Sequence, residues 1–138
     1  MTDVIIVIQN AMAADSGILG LMGGEDRIYP IQAPDAPDYP YVVLTRISGM
    51  EETDFEGDTG TEEARVQIDC YALGYADMVE LKDAVRDFMV QRPPPGPPCV
   101  IDMARCINDR DLANPGTERA GPRIRRRLLE FSVWTRRR

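Results

Sequence analysis

Hydrophobic positions along this chain change their period several times, and each change marks an element. Val4, Val7, Ile8, Ala11 and Met12 fall at helical spacing behind Thr2 or Asp3, either of which can cap a first turn. The β-branched run Val4-Ile5-Ile6-Val7-Ile8 would also suit a strand, and the spacing favours the helix. Asp15-Ser16 then offers a second N-cap. The short helical segment it opens, Ile18 to Met22, meets a stop at Gly23-Gly24.

The pattern shortens to a period of two after Pro40. Both parities of Tyr41-Val42-Val43-Leu44 are apolar, which predicts a strand covered on both faces near its start. In the next strand Val66, Ile68, Cys70 and Ala72 share one parity, and Arg65, Gln67, Asp69 and Tyr71 share the other, facing solvent or a neighbour. After Gly74 the period returns to helical, with Met78, Leu81, Val85 and Phe88 on one stripe and Asp77, Glu80, Lys82, Asp83 and Asp87 away from it. That helix has to end before Pro93, because Pro93-Pro94-Pro95-Gly96-Pro97-Pro98 lacks nearly every backbone donor a helix needs and favours polyproline II. Beyond this spacer, Cys99 to Ala104 reads as a short strand, with a further one near Asp111 and Leu112. Asn114-Pro115-Gly116 is a turn, and Ile124 to Thr135 is a long strand with Leu129, Phe131 and Val133 on one parity. No internal repeat occurs.

A chain of 138 residues fits one domain over 1–138, able to bury roughly two-thirds of its unfolded surface. Its 43% hydrophobic and 28% charged residues suit a folded domain and not a disordered one. The longest apolar run, Val4 to Ile8, is far short of the roughly 20 residues that cross a bilayer, and no secretory signal precedes it, so no membrane partner is expected. Cys70, Cys99 and Cys106 are odd in number, which predicts free thiols in a reducing compartment. Histidine is absent, removing the usual general base and the commonest zinc ligand.

Charge then changes the picture. The net charge is -7, yet from Arg119 onward eight Arg face one Glu, so the preceding residues carry about -14. Between positions 51 and 63 lies an acidic loop with seven carboxylates and no cation: Glu51, Glu52, Asp54, Glu56, Asp58, Glu62 and Glu63. Asp54, Glu56 and Asp58 have the spacing of the first three ligands of a calcium loop. Thr59 stands where its glycine belongs and Arg65 where its closing glutamate belongs, so the pattern fails. Arg123, Arg125, Arg126 and Arg127, with Arg136, Arg137 and Arg138, could neutralise phosphates or pair with the acidic loop of another copy. Overall acidity, and the lack of aromatic residues interleaved with that cluster, argue against a dedicated nucleic-acid module. Gly20-x-x-Gly23-Gly24 follows no strand and lacks the Lys-Ser/Thr of a phosphate loop. No nucleophile has a base beside it in any known pattern, and no enzymatic activity and no cofactor are expected.

The order of these signals resembles one family. Arg27-Ile28-Tyr29-Pro30, Pro40-Tyr41-Val42-Val43, Val66-Gln67-Ile68-Asp69, the Tyr75 to Phe88 helix and Phe131-Ser132-Val133-Trp134 are similar to the tail-completion, or tail-terminator, proteins of long-tailed bacteriophages and gene transfer agents. The resemblance implies an α+β single domain, with an antiparallel (mixed) sheet flanked by helices. It also implies a virion protein, made in the host bacterial cytoplasm, that forms a homo-hexameric ring at the head-proximal end of the tail. There the ring would stop polymerisation of the major tail tube protein and join the tail to the head-tail connector or stopper protein, with DNA passing through its lumen without specific binding. The Pro-rich spacer is not part of that family pattern. A head-side connector or stopper subunit is the alternative within phage structure. A cytosolic nucleic-acid-binding domain using the Arg-rich end is the alternative outside it.

Overall fold

The computed structural model describes residues 4–35, 37–54, 57–91, 99–112 and 124–137, with side chains described except at 48–62, 91, 99–100, 102 and 136–137. The elements run α1 (Val4–Ala13), α2 (Ser16–Leu21), β1 (Ile28–Pro30), β2 (Tyr41–Asp54), β3 (Gly57–Leu73), α3 (Tyr75–Gln91), β4 (Cys99–Leu112) and β5 (Ile124–Arg137). The strands form one mixed sheet in the order β1-β2-β3-β5-β4, with β1 parallel to β2 and the other neighbours antiparallel. This is the α+β architecture that the resemblance implied.

Alternation along β3 decides which face is buried. Val66, Ile68, Cys70 and Ala72 are fully buried, and the register places Ile68 beside Leu44 of β2 and Leu129 of β5. Helix α3 lays Met78, Leu81, Val85 and Met89 on this face over β3, β5 and β4. Helix α1 packs Ile8 and Met12 against β1 and β2. Phe131 lies completely inside the resulting core.

Local chemistry sets the element ends. The Asp15 carboxylate accepts from the Ile18 amide at 3.0 Å, capping α2 as its sequence position predicts. The amide of Gly24 donates to the Leu19 carbonyl at 2.7 Å and that of Gly23 to Gly20 at 3.4 Å, with both glycines at positive φ, closing a Schellman stop. Helix α3 begins directly after Gly74, whose φ of 102° admits little but glycine, and reaches Gln91 before the proline run.

The structure departs from the hydrophobic pattern in three places. Residues 28–30 form a short parallel strand, fixed by the Gln9 side-chain amide donating to the Ile28 carbonyl at 2.9 Å and by Val42 N–H donating to the Arg27 carbonyl at 3.0 Å. The acidic loop expected over 51–63 is largely strand. Met50 pairs with Glu63, Glu51 with Glu62 and Asp54 with Gly57, because backbone pairing is indifferent to the side chains that hid it. The two short strands expected at 99–104 and 111–112 are one strand, β4. Bulges between Ile101 and Met103 and between Cys106 and Asn108 shift the side-chain parity, so no single alternation runs through its sequence. The Pro93–Pro98 spacer and the Asn114-Pro115-Gly116 turn lie outside the described residues.

Candidate assembly surface on the open face and edges of the sheet

On the face away from the helices, Tyr41, Tyr71 and Arg126 occupy one row across β2, β3 and β5. The Tyr41 and Tyr71 rings stack with centroids 4.6 Å apart and planes 8° apart. Tyr29 and Tyr39 tilt against Tyr41 at 6.1 and 5.2 Å. The Arg126 guanidinium lies 5.6 Å from the centroid of Tyr71. Burial, and then the neighbouring tyrosines, push the Tyr41 hydroxyl well above its ordinary range. Burial likewise raises Tyr71, against the opposing pull of Arg126.

The strand parity assigned Asp69 to the exposed side, and the structure buries it there. Its Oδ1 accepts from Arg126 at 3.1 Å and its Oδ2 accepts from the Gln67 amide at 2.8 Å, so both carboxylate oxygens have partners. Residues 31–34 and Pro37 fold over this row. With Val43, Thr45, Gln67 and Tyr71 as floor, they wall a cleft of about 410 Å³. That cover is why Tyr41 and Val43 are buried as well as Val42 and Leu44, as the two-faced apolar pattern predicted. Ile31 opens the segment at φ 68°, a left-handed backbone for a β-branched residue, and is 77% exposed.

On the helix side, a charged knot closes the core between α3, β4 and β5. Arg127 donates to Asp109 and, at 2.7 Å, to Asp111, and its Nη1 also reaches the Tyr75 hydroxyl at 3.3 Å. Lys82, expected on the solvated side of α3, is buried with its ammonium 2.7 Å from Asp83 and 3.8 Å from Asp109. Arg86 joins Asp109 at 3.5 Å. The bond to Asp111, with those to Asp109 and Tyr75, holds the Arg127 guanidinium above its ordinary value.

The expected assembly residues are therefore dispersed. Arg126 and Arg127 are engaged inside the subunit, on opposite faces of β5, and Arg125 precedes them on the same strand. Arg136 and Arg137 sit at the far end of β5, about 30 Å away at the rise of a strand. There Arg136 is opposite Thr61 and its neighbour Thr135 is opposite Glu62, so the basic end and the acidic hairpin share one end of the sheet. The Glu63 carboxylate accepts from the Ser132 hydroxyl at 3.1 Å. Glu51, Glu52, Asp54, Asp58 and Glu62 are placed by backbone only, and Glu56, Arg123 and Arg138 lie outside the described residues. Among the described residues no three acidic or thiol groups converge on a cation. The pairs Asp69–Arg126, Asp109–Arg127 and Lys82–Asp109 were invisible in the sequence, since each joins different elements of the chain.

Residues 7–136 match the family model described as tail completion protein gp17. The chain belongs to that family. It is thus a structural protein of a phage tail. Among solved structures, a chain from the "Virion of native gene transfer agent (GTA) particle" has the same fold, with a TM-score of 0.76 at 17% identity. The alignment covers 96% of this chain and 94% of that one. No curated protein matches. For a tail-completion protein, a surface made of paired charges, stacked rings and strand edges has the makings of contacts with other virion proteins, and the family is a structural one.

Proposed function

We propose that this tail-completion protein is the tail terminator. On this reading it forms a ring, hexameric, at the head-proximal end of the tail, where it stops growth of the tail tube and joins the tail to the head connector or stopper. DNA passes through the ring without specific binding.

The observation that carries the reading is the pair of outer strands. Beyond Leu44, β2 has no strand on its outer side among the described residues, and neither has β4 along its length. β2 and β5 run one way, β3 and β4 the other. Rotation about a ring axis preserves the component of strand direction along that axis, so with the strands running near the axis β4 of one copy meets β2 of the next antiparallel. Contacts between two different patches are what a closed ring needs. The ion pairs of Arg126 and Arg127 inside the subunit remove two of the cations on which a nucleic-acid-binding reading would rest.

Electron microscopy of intact tails, with this chain labelled, tests the proposal. A ring of label at the head-proximal end of every tail is expected, and loss of the chain should give tails of uncontrolled length that do not join heads. Label on the capsid side of the junction would favour a connector or stopper subunit instead. Label elsewhere would end the reading.

A further inference from the structure

Each outer strand carries two bulges, and at one bulge on each strand the extra residue is an exposed isoleucine. In β2, Arg46 pairs with Val66 and Ser48 with Arg65, leaving Ile47 without a partner across the strand. In β4, Cys106 pairs with Phe131 and Asn108 with Glu130, leaving Ile107 in the same position. Ile47 is 47% exposed and Ile107 39%. Bulges re-aim a side chain and end regular pairing, so a bulge on an edge strand is a device and not a flaw.

The register links the two. Val66 of β3 is opposite both Arg46 of β2 and Phe131 of β5, and Phe131 is opposite Cys106 of β4. One row thus runs Arg46, Val66, Phe131, Cys106 from edge to edge. Ile47 lies next to this row on one edge and Ile107 next to it on the other, offset by about one residue, or ~3.4 Å. Two copies side by side in a ring whose axis the strands follow bring these residues together to within about one residue in height.

We infer that Ile47 of one copy packs against Ile107 of the next, and that this pair sets the lateral register of the ring. The inference rests on the ring reading above and names its contact. Charge favours the same alignment. It brings the acidic half of β2, with Glu51, Glu52 and Asp54, level with the neighbour's strands β4 and β5 where their backbones carry Arg105, Arg136 and Arg137 against one acid of those two strands, Asp102. A bulge on each edge limits how far the two strands can zip, so the isoleucines fix position where a regular ladder would allow slippage.

Disulfide trapping in assembled particles tests this. The chain carries Ile47→Cys and Ile107→Cys together with Cys99→Ser and Cys106→Ser, while Cys70 is buried and stays. A disulfide needs the two Cα atoms within about 7 Å, so mild oxidation should convert the chain into a covalent ladder ending at the closed ring only if the residues meet. Each single cysteine variant should remain monomeric on the same gel. Particles that show the ring by microscopy yet give no ladder would overturn the contact and leave the ring standing. Particles with no ring of this chain would overturn both. As a second measurement, Ile47→Lys should raise the concentration for half-assembly roughly tenfold, and adding Ile107→Glu should restore it. Unchanged assembly of Ile47→Lys would also overturn the contact.

Discussion

Arg126 is the diagonal neighbour of Asp69 across β3 and β5, and it reaches the carboxylate at 3.1 Å by passing over the Tyr71 ring. The carboxylate is buried and the guanidinium only partly so. Removing one member of such a pair costs more than the pair itself contributes, because a charge is left in a poor solvent.

Arg126→Gln should therefore destabilise the fold by about 3 kcal/mol. Asp69→Asn, which keeps the shape and leaves Arg126 access to water, should cost about half as much. Urea unfolding of the two variants checks this, and equal losses would mean that burial of Asp69 is not the governing feature.

Arg127→Glu should destabilise by a similar or larger amount, since it sets a carboxylate among Asp109 and Asp111 and strips Lys82 and Arg86 of a shared partner arrangement. Arg105→Glu, at an exposed site, should stay within about 0.5 kcal/mol of the wild type. Thermal melts settle the comparison.

Stability should fall in alkali. Burial, and then the charge of Asp69, push the Cys70 thiol above its ordinary value. A group whose folded value is raised contributes stability that is complete below its unfolded value, about 8.5 for a thiol, and is lost as pH climbs toward the folded one. The decline approaches about 1.4 kcal/mol per pH unit for one group. Tyr41 and Tyr71 add to it only from about pH 10. Urea midpoints of Cys70→Ala should accordingly stay level from pH 8 to 10 while those of the wild type drop. Parallel curves would acquit the thiol.

Glu51 and Glu62 face each other across the acidic hairpin, and like charges so placed weaken a strand pair. Glu62→Lys should slow amide exchange in Met50–Glu63 roughly threefold, corresponding to a few tenths of a kcal/mol. Unchanged exchange would show that the hairpin charges do not sense one another.

What could be read beforehand was whatever local period determines. The stripe of α3, the inward parity of β3 and the run Leu129, Phe131, Val133 are each set by spacing, and each is buried as expected. The strand 28–30 is too short to show a period, and the bulged β4 has no constant one. The charged residues were least legible. A split between acidic and basic halves of the sequence suggested two separate patches, yet strand pairing returns Arg136 to the neighbourhood of Glu62 and sends Arg126 and Arg127 to opposite faces of one strand. Parity told which face Asp69 is on. It could not tell that Arg126, Gln67, residues 31–34 and Pro37 would close over that face.

Ile31 holds an open margin for engineering. Its left-handed backbone costs a β-branched residue about 1–2 kcal/mol, while a side chain 77% exposed recovers little by burial in the lone subunit. Asparagine tolerates that backbone, and the Ile31 amide would still donate to the Leu44 carbonyl at 2.8 Å. Ile31→Asn should make the isolated subunit melt several degrees higher. If the same variant builds particles less well, the isoleucine is kept for its neighbours in the virion, and the subunit has traded its own thermal endurance for a grip on them.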